Sequence, residues 1–308
     1  MFDFIGDIHG HADELQLLLE LLGYDRRRGH YSHPTRQAFF LGDLIDRGPR
    51  IRDTLAIVRS MVDAGAARMV LGNHEYNALA YHTRDPDRPD EFLRPHELKN
   101  VKQHRQTLMQ LPAAELYEYL QWFRTLPLWF QRDDVRAIHA CWDDARLATL
   151  AAACEQHGGL TDEFLVAAAR REDKLYWALD ELLKGKDIPL PRGMSYSDKD
   201  GHERHHMRIK WYASPSHHTY RSYALTSDPG LPDEPLPDSF AQQVAPYPID
   251  ARPVFVGHYW LRGDRPRILA RNVACLDYSV AKSGLLVAYR WDGESVLSDE
   301  KFLWVEAK

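Results

Sequence analysis

Polar side chains that can bind metal ions follow short apolar runs at five places in this 308-residue chain. The five places are Asp7 and His9 in FIGDIHG, Asp43 in FFLGDLIDRGP, Asn73 in MVLGNHE, His139 in AIHA, and His258 in FVGH. In an open α/β sheet, binding sites form beyond the carboxyl ends of the strands. Because a short apolar run is typical of a buried strand, we expect the five strand ends to meet in one site.

The types of these residues indicate a hydrolase with two metal ions. Two cations about 3.5–4 Å apart need a ligand that bridges them, and Asp43 is the natural candidate because it belongs to the middle motif. Nitrogen and oxygen ligands without a thiolate suit Mn²⁺, Fe or Zn²⁺. Taken alone, Asp7 and His9 could form a capped turn before a helix, and Asp46 with Arg47 a surface ion pair. The five motifs in order favour the metal site.

The elements that must position these residues follow from the periodicity of the apolar residues. Apolar runs predict strands over 2–5, 37–41 and 68–71, and helical spacing predicts helices over 13–22, 50–64 and 75–81. This β-α-β-α-β order favours an α/β fold with at least a partly parallel sheet. The remaining predictions are helices over 97–126, broken at Pro112, and over 144–184, and strands over 135–139, 254–256, 273–276, 285–290 and 302–305.

Composition excludes several classes of protein. The formal net charge of −6 does not support a general nucleic-acid-binding surface, which is normally basic. The 3 cysteines are scattered, which argues against a disulfide framework or a cysteine-type zinc site. Neither a signal peptide nor an apolar run of about 18 residues is visible, so a cytoplasmic protein without a membrane partner is expected.

The motifs GDIHG, GDLIDRG and GNHE, followed by a strand-borne histidine and by VGHYW, resemble those of the calcineurin-like metallophosphoesterases. The nearest branch contains the PPP-type serine/threonine phosphatases and the symmetrical diadenosine tetraphosphate hydrolases. The resemblance implies an α/β fold, an αββα sandwich of two mixed β-sheets flanked by helices, with the metal site at the sheet edge. We expect one domain over 1–308, with a cap inserted at about 144–250 that shapes substrate choice.

The resemblance also implies which residues bind two divalent metal ions. Asp7, His9 and Asp43 would bind the first ion, and Asp43 would bridge to the second. Asn73, His139 and His258 would complete the second site. Mn²⁺ is the first choice, with Fe, Zn²⁺ or Ni²⁺ as alternatives, and a hydroxide shared by the two ions would attack phosphorus in line.

The same resemblance implies the roles of the remaining motif residues. His74 would protonate the leaving group, Asp46 would orient His74, and Arg47 would bind the phosphoryl oxygens together with Asn73. A second basic substrate ligand is expected from HERHHMRIKWY, where Arg208 and Lys210 are the candidates, followed by Arg204.

Several other polar residues leave alternatives open. Glu75 stabilises the helix N-terminus, the role we favour, or supports a metal ligand. Asp277 orients a ligand histidine or forms a turn. The segment 184–249, called the later segment below, contains histidines that suit a solvated loop better than another metal cluster: His205, His206, His217 and His218.

The motifs therefore predict metal-dependent hydrolysis of a phosphorylated substrate, which would be a phosphopeptide, a nucleotide or a dinucleoside polyphosphate. GNHE rather than GNHD, with an intact DRG, favours a phosphomonoesterase of the serine/threonine protein phosphatase type. A symmetrical bis(5'-nucleosyl)-tetraphosphate hydrolase is the alternative, followed by a nucleotide or RNA-end phosphatase. A non-catalytic metal-binding scaffold is disfavoured because His74, Asp46 and Arg47 are all retained. The oligomeric state is left open.

Overall fold

The first strand, β1 (Phe2–Ile5), is buried on both faces and shows how the chain divides into layers. Phe2 and Phe4 point to one side and pack against aromatic residues of a second sheet, whereas Ile5 points to the helices. Asp3 is fully buried and accepts hydrogen bonds from Tyr24 and the two guanidinium groups that flank the strand. The computed structural model describes residues 1–27, 29–197, 203–226 and 228–307.

The strands and helices have the following bounds. The strands are β1 (Phe2–Ile5), β2 (Asp25–Arg27), β3 (His30–Ser32), β4 (Gln37–Phe40), β5 (Ala67–Met69), β6 (Arg84–Asp85), β7 (Arg88–Phe92), β8 (Trp129–Gln131), β9 (Arg136–Ile138), β10 (Asp187–Pro189), β11 (Tyr196–Ser197), β12 (Glu203–Arg204), β13 (His206–Arg208), β14 (Val254–Val256), β15 (Val273–Cys275), β16 (Asp277–Tyr278), β17 (Leu285–Trp291) and β18 (Phe302–Glu306). The helices are α1 (Ala12–Leu21), α2 (Ile51–Asp63), α3 (Asn73–His82), α4 (Leu98–Gln110), α5 (Ala113–Arg124), α6 (Asp144–His157), α7 (Asp162–Ala169), α8 (Lys174–Lys184), α9 (Tyr220–Tyr223) and α10 (Asp238–Gln243).

Two mixed sheets form the centre of the fold. The first has the order β16-β17-β1-β4-β5, with β18 also paired to β17; β1, β4 and β5 are parallel, and β17 is antiparallel to β1. The second has the order β15-β14-β9-β8, in which only β8 is antiparallel to its neighbour. The rings of Phe4 in the first sheet and Phe255 in the second stack at 3.9 Å between centroids, so the sheets face each other.

Helices cover the outer faces of this sandwich. α1 and α2 contact the first sheet, and α6 to α8 join the large core cluster that includes Val254 and Val256 of the second sheet. The predicted α/β sandwich with two mixed sheets is therefore confirmed. Predicted element bounds agree with the observed ones within about two residues in the first half of the chain, and the helical stretch 97–126 breaks at Pro112 as predicted.

The segment predicted as a cap has two different parts. Its helices α6 to α8 pack into the main core, whereas the stretch after Lys184 has a small core of its own, which includes Ile188, Met207 and Tyr223. Backbone pairing of β10 with β13 and of β11 with β12 gives this stretch more regular structure than its proline-rich sequence indicates. Within the described ranges, none of the helices has the length and apolar character needed to cross a bilayer.

Candidate metal centre

The five predicted motifs meet at one edge of the sandwich, directly after β1, β4, β5, β9 and β14. Backbone hydrogen bonds hold the loops together there. The N–H groups of Ile8 and His9 both donate to the Asp43 carbonyl, at 3.1 and 2.8 Å, and Gly257 N–H donates to the His139 carbonyl at 2.8 Å. The sheet therefore fixes the relative positions of residues that are up to 251 positions apart in the chain.

Backbone strain concentrates at the same edge. Positive φ is uncommon for residues other than glycine, and such strain tends to cluster at functional sites. Nine described non-glycine residues have positive φ, and six of them lie in these loops: His9, Asp43, Asp46, Arg47, His258 and Trp260. Gly42 is required for a related reason, since a Cβ atom there would lie 2.4 Å from the backbone nitrogen of Gly72.

One group of candidate ligands consists of Asn73, His139, His258 and Asp43. The Asn73 Oδ1 atom lies 3.0 Å from His139 Nε2 and 2.7 Å from His258 Nδ1. Donor atoms of Asp43, His139 and His258 lie within 4.8 Å of one another. His139 Nδ1 donates to the Leu41 carbonyl at 2.7 Å, which leaves its Nε2 lone pair available for a metal ion.

The second group contains His9, Asp43 and His74, whose donor atoms also lie within 4.8 Å of one another. His9 Nδ1 donates to the Ile45 carbonyl at 2.8 Å, so His9 Nε2 faces the group as an acceptor. Asp7 is buried, and both its oxygens accept from the backbone N–H of His258, at 3.2 and 3.0 Å, so Asp7 contacts the first group. The structure thus brings five predicted ligands into two groups that share Asp43, joins Asp7 to them through His258, and places His74 within the second group.

The donor set fits divalent cations on two observations. His9 Nε2 is buried without a hydrogen-bond partner in the described structure, and burial followed by the charge of His74 lowers the pKa of His9 to about 3, so the ring is neutral. Burial, then the charges of Asp277 and Asp43, raise the pKa of Asp7 well above its ordinary value. Cations would neutralise this buried cluster of carboxylates and give His9 its missing partner.

Glu75 connects the middle motif to the third. Its carboxylate accepts from the backbone N–H groups of Asp43 at 2.8 Å, Leu44 at 2.7 Å and Gly72 at 3.0 Å. The bond to Gly72 is the helix-capping role that we favoured, and the bonds to the loop after β4 fix the backbone of Asp43. Burial, then the charge of Asp43, raise the pKa of Glu75 to about 7.

Asp46 is the centre of a buried hydrogen-bond cluster. Its Oδ2 lies 2.5 Å from His74 Nδ1, and its Oδ1 accepts from His104 Nδ1 at 2.8 Å and from the Thr107 hydroxyl at 2.6 Å. The Thr107 oxygen accepts in turn from the Asp46 N–H at 3.0 Å. Burial opposes ionisation of Asp46, but the bonds from His104 and His74 lower its pKa below the ordinary value. An ionised Asp46 keeps a proton on His74 Nδ1 and fixes the ring.

Arg47 is exposed beside this cluster, with its guanidinium carbon 4.1 Å above the centre of the Trp260 ring. Stacking on the ring orients the planar guanidinium while its N–H donors stay available. The backbone N–H of Trp260 donates to Asp277 Oδ2 at 2.7 Å, and the backbone N–H of Ser279 donates to Asp277 Oδ1 at 3.0 Å. Asp277 therefore fixes the loop after His258 and forms a turn.

The two basic residues predicted first, Arg208 and Lys210, have different hydrogen-bond partners. The Arg208 guanidinium donates to the Gly185 carbonyl, and its charge, after burial and His139, contributes to lowering the pKa of His258. Lys210 Nζ donates to the Ser222 carbonyl at 2.8 Å, inside the later segment, and is not brought to the metal ligands. In the described part of the chain, the four later histidines belong to neither candidate metal group.

Sequence reasoning missed His104 and Thr107. His104 and Thr107 are the buried residues of α4, three positions apart, whereas its apolar residues Leu98, Leu108 and Met109 are exposed. A buried helix face made of a histidine and a threonine is the only signal that the sequence offers, and it becomes visible only once the burial of α4 is known.

Comparison with known proteins agrees with this geometry. The sequence pattern of the family described as "Calcineurin-like phosphoesterase" matches residues 1–181. The chain is 26% identical over 301 residues to a symmetrical bis(5'-nucleosyl)-tetraphosphatase of Vibrio campbellii, covering 96% of this chain and 97% of that protein. It is 49% identical over 74 residues to the asymmetrical bis(5'-nucleosyl)-tetraphosphatase PrpE of Halalkalibacterium halodurans, covering 24% of this chain and 30% of that protein.

A solved structure shows the same fold. The cold-active protein-tyrosine phosphatase of a psychrophilic Shewanella aligns with a TM-score of 0.51 and 18% identity, covering 100% of this chain and 80% of that one.

Proposed function

The chain belongs to the calcineurin-like phosphoesterases, and we propose that it is a symmetrical bis(5'-nucleosyl)-tetraphosphate hydrolase that splits its substrate into two nucleoside diphosphates. The alignment with the Vibrio campbellii enzyme supports this proposal, because it extends over nearly the whole of both proteins. This substrate was our alternative at the sequence level. The relatives favour it over the protein phosphatase that we placed first, whereas the Shewanella enzyme shares only the fold.

The enzyme is a metal-dependent phosphoric ester hydrolase. Asp7, His9 and Asp43 would hold one ion, and Asp43 with three further side chains would hold the other: Asn73, His139 and His258. When bound, two divalent ions neutralise phosphoryl charge and lower the pKa of water. Mn²⁺ as the native ion and a cytoplasmic location stay predictions.

The other residues bind the substrate and move protons. Arg47, supported by the Trp260 ring, donates to the phosphoryl oxygens in a bidentate manner. His74 holds one proton on Nδ1 through Asp46 and gives the proton on Nε2 to the departing oxygen. His104 and Thr107 hold Asp46 in its ionised form.

We also propose that the chain is a single domain over 1–308, with its substrate-shaping cap in the later part of the predicted insertion. The separate small core of Ile188, Met207 and Tyr223 supports this placement. The Arg208 guanidinium donates to the Gly185 carbonyl, and Gly185 lies against the ring of Tyr259, the residue after His258.

A metal-reconstituted substrate panel tests the proposed function. Protein depleted with a chelator and reloaded with Mn²⁺ is assayed by kcat/KM on diadenosine tetraphosphate, phosphoserine and phosphothreonine peptides, nucleotides and 2',3'-cyclic nucleotides. We expect diadenosine tetraphosphate to be the best substrate, with ADP as the sole nucleotide product. A higher kcat/KM for the phosphopeptides, or AMP and ATP as products, would overturn the proposal.

A further inference from the structure

A cavity of about 480 Å³ lies between α3, the segment before α4, and helices α7 and α8. This volume lies within the range of small-molecule sites. The charged side chains that line it are four cationic and two acidic ones: Arg94, Lys99, Arg171, Lys184, Glu97 and Asp180. Lys184 and Asp180 pair with each other, so the remaining lining has an excess of positive charge that suits an anion.

Arg94 is the most informative residue of this cavity. Its Nη1 donates to Asn77 Oδ1 and its Nη2 to Gln103 Oε1, both at 2.8 Å and both to neutral amides. No ion pair of Arg94 with a carboxylate is found within the described residues, although most other half-buried arginines of the chain have one. Guanidinium carries five N–H donors, so most of them stay available. Burial lowers the pKa of Arg94, and the charge of Asp46 opposes that effect only in part. Because no described carboxylate contacts the guanidinium directly, a bound anion would offset the remaining cost of burying this charge.

The cavity is linked to the proposed proton donor through one side chain, Gln103. Gln103, which accepts from Arg94, places its amide nitrogen 3.3 Å from Nε2 of His74, the proposed proton donor. Asn77 and Arg94 also border the small gap beside Asp46. Two contacts therefore separate the Arg94 guanidinium from the nitrogen that protonates the departing oxygen.

We infer that this cavity binds the leaving nucleoside diphosphate, with Arg94 as the ligand of its phosphates. The inference rests on the proposed function, because only a substrate with phosphates beyond the scissile bond reaches Arg94. Arg171 at the exposed rim adds positive charge, and Tyr176 offers an aromatic ring to the base. Arg47 and the metal ligands bind the transferred phosphoryl group, whereas Arg94 binds the phosphates of the leaving group.

Two substrates separate binding in this cavity from the chemical step. We compare kcat/KM for diadenosine tetraphosphate with kcat/KM for p-nitrophenyl phosphate, which has no phosphates beyond the scissile bond. Arg94→Met is expected to lower the ratio of the two values roughly 10- to 100-fold, the equivalent of a hydrogen bond between charged groups. Arg94→Lys, which keeps the charge, should lose less.

Arg105→Met is the matched control, because it removes an exposed arginine from α4 and should leave the ratio unchanged. Arg171→Met, at the exposed rim, tests the cavity independently of any folding defect at Arg94. It should lower the ratio about two- to fivefold, as expected for an exposed charge pair.

The outcomes are distinguishable. Equal losses on both substrates in Arg94→Met would show that Arg94 acts only through Gln103 and His74, and would overturn the inference. An unchanged ratio in both Arg94→Met and Arg171→Met would also overturn it, while leaving the proposed function intact. Wild-type protein that hydrolyses p-nitrophenyl phosphate but not diadenosine tetraphosphate would overturn the proposed function and this inference together.

Discussion

Thr107→Val tests the Asp46 cluster with little change in shape. Thr107 is fully buried, and its hydroxyl both donates to Asp46 Oδ1 at 2.6 Å and accepts from the Asp46 N–H at 3.0 Å. Valine has nearly the same shape but makes neither bond. The variant therefore isolates the contribution of one hydroxyl to the position of Asp46, without touching the candidate metal ligands.

The expected loss follows from these two bonds. A hydrogen bond to a charged group contributes about 1.5–3 kcal/mol, and a buried N–H without an acceptor costs about 1–3 kcal/mol. Their sum of roughly 2.5–6 kcal/mol is an upper estimate, because Asp46 keeps its bonds to His74 and His104. We expect the free energy of unfolding to fall by about 2–4 kcal/mol.

Urea unfolding of the metal-free protein, kept in chelator, measures this loss without a contribution from metal binding. Thr54→Val is the matched control. Thr54 is equally buried, but its hydroxyl has no hydrogen-bond partner in the described structure. Valine at position 54 should leave stability unchanged or raise it by up to about 1 kcal/mol, since an unpaired buried hydroxyl is unfavourable. Equal effects of the two substitutions would refute the assignment of the Thr107 bonds.

Three further substitutions address the metal centre and the chemical step. Asp43→Asn should abolish activity and deplete both metals, and normal turnover at full metal content by elemental analysis would contradict the bridging role. His74→Asn should keep its metals and lose about 10²–10⁴-fold in kcat, more for alkyl phosphates than for p-nitrophenyl phosphate; an equal loss on both would argue against proton donation. Gly257→Ala should weaken metal binding about 10- to 100-fold, because the new Cβ would lie 2.0 Å from Asp7 Oδ1. Titration calorimetry with Mn²⁺ checks this, and wild-type affinity would count against the placement of Asp7.

Local patterns were sufficient to predict the candidate ligands and most strands of the two sheets, although they missed β8 and β16. Apolar runs ending in Asp7, Asp43 and His139 are recognisable without a structure, because a buried strand and the turn after it are encoded by neighbouring residues. The rule that polar residues at strand ends meet at one sheet edge then brought distant motifs together. The pairing of β1 with β4 and of β9 with β14 agrees with that rule.

Contacts between distant segments could not be predicted in the same way. Asp46 and Thr107 are 61 residues apart, and nothing in the composition of α4 distinguishes its buried face from its exposed ones. Lys210 and Arg208 are two residues apart, yet the bond of Lys210 to Ser222 stays within the later segment, whereas the charge of Arg208 reaches His258. Side chains two positions apart in a strand share a face, so alternation alone would place both on the same side. β13 ends at Arg208, and the course of the chain after it is what separates Lys210 from Arg208.

The sequence alone therefore determined the metal-binding chemistry of FIGDIHG, FFLGDLIDRGP and MVLGNHE, because residue type and short spacing define ligands, turns and strand ends. Only the tertiary structure decided how those ligands are supported: Glu75 fixes the backbone of Asp43, α4 holds Asp46, and Arg94 donates to Asn77 and Gln103. The physical reason is that hydrogen bonds and charges act through space, and their partners depend on packing between segments far apart in the chain.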